Sequence, residues 1–185
     1  IEDFNKGYLH GNFDGIYSVL VKKYRNVIWD DFESAFVSDD YYGFLFQIKD
    51  EIGSGTSFGV GALFQVKDDK VQNMCKKYPG KAPLRVAQMI PVFKDGHTFS
   101  DWFMWMLDEF GDQKDVLDSL HANMGTFTWG GSIIPLLQKK MECLNGIKNH
   151  KRVEVREWVE MCLQEIEEDM RRELNREEYM RLHYN

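Results

Sequence analysis

Apolar side chains along this chain recur at three- and four-residue steps, and few runs alternate as a strand requires, so the pattern predicts helices nearly throughout and an all-α fold. The clearest case is the last segment. From Val153 onward, Val155, Val159, Cys162, Ile166 and Met170 draw one stripe along a helix face. Beyond Met170 the stripe thins into glutamate and arginine. The pairs Glu167/Arg171, Glu168/Arg172 and Glu177/Arg181 stand four apart in the favourable order, which predicts a helix that runs on with little core beneath it.

Upstream, Ile16, Val19, Leu20 and Tyr24 mark a helix over Phe13 to Arg25, and Ile28 to Phe36 predicts a second. Ser38, followed by Asp39 and Asp40, reads as the cap of a helix reaching Glu51. Val71 to Tyr78 is a short helix stopped by Pro79-Gly80; Pro83 opens the next, and Pro91 ends or kinks it. Thr98 and Ser100 resemble a capping box before a helix over Asp101 to Phe110. Lys114 to Met124 and Ser132 to Ile147 complete the series, with Ser132 as a cap. Breaks near Ser38, Pro79, Gly111 and Lys148 cut the chain into pieces of one or two helices, compatible with the ~40-residue period of an α-solenoid, although no strict repeat is visible. The expected organisation is one helical-repeat domain over 1–185, with N-terminal helices in 1–80, central helices in 81–147 and a long C-terminal helix in 148–185. A chain that opens on Ile1 rather than Met reads as a fragment of a longer protein.

Composition narrows the possible functions. A chain of 185 residues with 43% hydrophobic residues can bury a sizeable core, which excludes wholesale disorder. The net charge of −7 argues against a polyanion as the main partner. Cys75, Cys143 and Cys162 are odd in number and widely spaced, fitting reduced core thiols of a cytoplasmic protein better than a disulfide framework or a zinc site. Neither a membrane-spanning run nor a secretory leader is legible.

Candidate chemistry is sparse. The glycine-dense stretch Gly53 to Gly61 lacks the Gly-Lys-Ser/Thr ending of a phosphate loop, and Ser132 lacks the second glycine of a nucleophile elbow. The five histidines are scattered, so no metal set is expected, and no catalytic residue or cofactor is implied. A pocket gathering Asp108, Glu109, His121 and Asn123 would revive a catalytic reading. The aromatics Trp102, Phe103, Trp105 and Phe110 offer a recognition surface, but Trp102, Trp105 and Met106 are expected to form the core seam of their helix, whereas Phe127 and Trp129, in a glycine-rich loop, are the candidate interface. Lys76, Lys77, Lys81, Arg85, Lys139 and Lys140 would form a nucleic-acid-backbone patch only if they converged on one face.

The segment from Ser132 to Val159, with Val155 and Arg156 opening its second helix and Trp158 following, resembles a HEAT repeat, in which the arginine bonds within or between repeats. Phrases such as Leu107-Asp108-Glu109-Phe110-Gly111-Asp112, Gly131-Ser132-Ile133-Ile134-Pro135 and Val155-Arg156-Glu157-Trp158 resemble the helical C-terminal region of large bacterial multidomain proteins of the anti-phage defence type. That resemblance implies a HEAT-like solenoid acting as a non-catalytic protein-interaction scaffold or sensor. Its partner would be another domain of the parent, such as an effector or NTPase domain, or a phage or host protein. The alternative is a nucleic-acid-binding helical-repeat module.

Overall fold

The structure, a computed structural model, describes residues 23–24, 29–30, 33–40, 69–94, 98–125 and 131–184. The chain is all-α, with no strand among the described residues. It divides into two compact units, Ile1–Pro91 and Val92–Asn185.

In the first unit, α1 (Asp69–Lys77) and α2 (Ala82–Ala87) follow one another across a Pro79-Gly80 turn. Pro83 sits in the first turn of α2, where a missing N–H costs nothing. Trp29, Phe36, Val71, Met74, Cys75, Val86 and Ile90 are buried here. Ser38 bonds to the turn before it: its hydroxyl donates to the Ala35 carbonyl at 2.8 Å, closing the helical residues 33–36. The expected helix over residues 40–51 lies outside the described residues, as do most of the one over 13–25 and all of Gly53–Gly61.

The second unit opens on an antiparallel bridge between Phe93 and Phe99, and Phe99 stacks on Phe103 with ring centroids 4.4 Å apart. Ser100 then caps α3 (Asp101–Phe110), accepting the Phe103 N–H at 3.1 Å. Trp102, Phe103, Trp105, Met106, Leu107 and Phe110 are all buried, so the tryptophans are core as expected. Gly111 turns the chain toward α4 (Lys114–Gly125) at close quarters. A Cβ there would collide with the Leu107 carbonyl and lie 2.5 Å from Val155 Cγ2, so position 111 must be glycine for packing, at an ordinary helical φ of −69°.

Helices α5 (Ile134–Ile147) and α6 (Val153–Tyr184) form the most extensive helix pair. Ser132 stands one residue outside the cap position of α5, and its hydroxyl accepts the Ile134 N–H at 3.3 Å. Val155, Trp158, Val159, Cys162 and Ile166 are buried, following the stripe read from sequence. None of residues 167–183 is buried. At 1.5 Å per residue, the 32 residues of α6 extend about 48 Å against about 21 Å for the 14 of α5, so α6 outruns its partner. The ion pairs that line its outer turns are Asp169–Arg172, Glu173–Arg176 and Glu178–Arg181, three apart rather than the four-apart pairs expected.

Candidate functional site

Two features of the second unit carry most of its polar organisation: the corner between α5 and α6, and the outer turns of α6. The corner begins where α5 ends at its cap residue Lys148 and the chain turns through Asn149 and His150. The chain then meets the C-terminal end of α3, where helix carbonyls lack intrahelical partners and attract cations. Arg152 fills that need. Its Nε donates to the Asp108 carbonyl at 2.8 Å, one Nη to the Glu109 carbonyl at 3.3 Å, and the other lies 3.4 Å from the Asp112 carboxylate.

Lys151 adds an ion pair to Asp108 at 2.7 Å. The Lys151 ammonium hydrogen-bonded to Asp108 holds its carboxyl below the usual range, against the opposing effect of burial. Arg156 turns back on its own corner, donating to the carbonyls of His150 at 2.9 Å and Lys151 at 3.3 Å. The arginine of the Val155-Arg156 pair therefore bonds within the helix hairpin, and Arg152 makes the bonds to another helix. Val155 and Trp158 are buried beside it, and the Trp158 indole N–H has no acceptor among the described residues.

Farther along α6, the Glu173 carboxylate takes two hydrogen bonds from Arg176, at 2.8 and 2.6 Å. Those bonds, together with one from the backbone N–H of Ile133 at the start of α5, hold its carboxyl below the usual range. Glu173 thus reaches the N-terminus of the neighbouring helix, seven residues beyond Ile166, the last buried residue of α6. Past it, Leu174, Tyr179, Met180 and Leu182 are 53%, 56%, 45% and 68% exposed. This is the largest concentration of exposed bulky apolar residues among the described ones, and their spacing places them around the helix rather than on one stripe.

The proposed interface residues Phe127 and Trp129 lie outside the described residues. The basic candidates have other tasks. Lys77 pairs with Glu33 at 2.7 Å and Lys81 with Asp39 at 2.6 Å, while Arg85 donates to the carbonyls of Phe36 and Ser38. Burial pushes the Glu33 carboxyl up, but hydrogen bonds from Lys77 and the Trp29 indole outweigh it and hold the group low. Lys140 is buried on α5, and of the six candidates only Lys76 and Lys139 are exposed with no ion pair to a described carboxylate.

Asp108 and His121 serve different contacts: Asp108 faces His150 and Lys151, and His121 Nε2 lies 2.9 Å from Glu165. The thiols of Cys75 and Cys162 are buried and pushed up to about 12 by that burial, which removes them as nucleophiles. Among the described residues no group of histidine, cysteine, aspartate or glutamate could hold a metal ion, and no helix is long and apolar enough to cross a membrane. In comparisons with known proteins, no family model, curated protein or solved structure matches the chain.

Proposed function

We propose that this chain is a non-catalytic protein-interaction module whose partner grips the outer turns of α6. The observation that carries this reading is the contrast within one helix. Up to Glu173, α6 is held by α5 and by the corner at α3, whereas the following turns keep their helix while presenting Leu174, Tyr179, Met180 and Leu182 to solvent. Exposed bulky apolar residues among charges are the composition of an interface core with a polar rim. Apolar residues on several sides of a helix suit a partner that surrounds it.

The HEAT-like solenoid and the sensor or scaffold role in a bacterial defence-type protein rest on the resemblance of Val155, Arg156, Trp158 and the phrases around them. In that setting the partner is another domain of the parent protein, or a phage or host protein, in the cytoplasm. The engagement of Lys77, Lys81 and Arg85 and the burial of Lys140 favour a protein over a nucleic-acid backbone.

The test compares the chain with a Leu174→Glu/Met180→Glu/Leu182→Glu variant as baits in bacterial lysate, with and without phage infection and with nuclease added. Proteins retained by the parent chain and lost by the variant, at equal helicity and melting temperature, are the expected result. Equal capture by both baits, or capture abolished by nuclease, would overturn the reading.

A further inference from the structure

Arg171, Leu174, Asn175, Glu178 and Leu182 stand at i, i+3, i+4, i+7 and i+11 on α6, the spacing of one helix face. All five are exposed, Leu174 at 53% and Leu182 at 68%. Ile166, the last buried residue of α6, and Glu173, which reaches Ile133, lie on the other side of the helix, so the side that packs on α5 points away from this face.

The two charges of the face are opposite in sign and equally far from the midpoint between Leu174 and Asn175. The other charges from 168 to 181 follow the same rule about that midpoint. Glu168 mirrors Arg181, Arg172 mirrors Glu177 and Glu173 mirrors Arg176, and Asp169 alone is matched to an uncharged residue, Met180. A second copy laid antiparallel about the midpoint therefore meets opposite charge at each of these heights, whereas a parallel copy in register meets its own charge. The ion pairs within these turns, Asp169–Arg172, Glu173–Arg176 and Glu178–Arg181, leave Arg171 out, and the last is long at 3.9 Å.

We propose that the outer turns of α6 pair antiparallel with those of a second copy of this chain, the two Leu174 side chains meeting at a two-fold axis and Arg171 facing Glu178 on both sides of it. Such an interface is isologous, the same patch used twice. The proposal rests on the reading of these turns as an interaction surface, and the second copy covers one face only, leaving Met180 on the opposite side for a further partner. The charge-matched stretch is about 21 Å long at 1.5 Å per residue, shorter than a standard interface needs, so the dimer is weak and depends on concentration.

Sedimentation equilibrium of the full chain, from low-micromolar to submillimolar concentration, tests this. The parent chain is expected to pass from monomer to dimer with a Kd on the order of 100 µM. Arg171→Glu and Glu178→Arg each set like charges against one another twice, and each alone is expected to weaken the dimer at least about tenfold. An equimolar mixture of the two variants regains both opposite pairs and is expected to associate as the parent does, which also shows that each variant is folded. A parent chain that stays monomeric, or variants that associate as tightly as the parent, would overturn the proposal. So would a mixture tighter than the parent, because in parallel pairing only the mixture removes the like charges. A monomeric parent that still loses a captured protein on Leu174→Glu/Met180→Glu/Leu182→Glu overturns this inference alone; a charge-dependent dimer with equal capture by both baits supports it and overturns only the separate partner.

Discussion

Lys140 carries an amine into the core between α5 and α6, where it is 5% exposed. Burial drives its pKa down to about 8, and the negative charge of Asp169 on α6 pulls it partly back. In the unfolded chain a lysine holds its proton to about pH 10.4, so between pH 8 and 10.4 the unfolded state binds more protons and stability rises with pH. Lys140→Met is therefore expected to stabilise the second unit by about 1–3 kcal/mol at pH 7. That gain should shrink steadily above pH 8; urea denaturation at pH 7 and 9.5 measures it, and a pH-independent gain would contradict it. The spacing held a signal for this burial. Leu137, Lys140 and Leu144 stand at i, i+3 and i+7, the positions of one helix face, so the lysine belongs to the apolar stripe rather than to a surface patch. Charge type alone pointed the other way.

At the scale of the elements, helix limits were legible wherever a strong local stop signal exists. Ser100 and Gly111 bound α3, Pro79-Gly80 separates α1 from α2, and the stripe of α6 runs from Val155 to Ile166. Contacts between elements were not legible, because they depend on which residues the turns bring together. The sequence singles out Arg156, in the Val155-Arg156 pair, and gives no such role to Arg152 four residues earlier. The structure distinguishes them: Arg152 holds α3 through two carbonyls and Asp112, and Arg156 holds two carbonyls of its own corner. Arg152→Ala leaves the carbonyls at the end of a neighbouring helix without their partner and should cost about 2 kcal/mol, against about 1 kcal/mol for Arg156→Ala. Chemical denaturation of the two variants checks the order; a larger loss for Arg156→Ala would show that the corner itself, not its bond to α3, limits stability. The ion pairs of the outer α6 turns stand three apart, and for Glu173 the residue four further on is Glu177, so Arg176 is the cation within its reach on the helix.

For the whole molecule, the functional reading rests on one helix that is anchored along its first half and open along its last turns. Sequence periodicity shows that the stripe thins beyond Met170, whereas the candidate interface read from sequence, Phe127 and Trp129 in a glycine-rich loop, lies outside the described residues. The exposure of Leu174, Tyr179, Met180 and Leu182 follows from where packing against α5 stops, which periodicity does not specify. The direct measurement places a photoreactive amino acid at Tyr179, and as a control at Met161, which is 38% exposed on the anchored part of α6, with irradiation in bacterial cells. The account predicts a discrete protein adduct from position 179 that is absent from position 161. Adducts at neither position, at both equally, or to nucleic acid alone would contradict it.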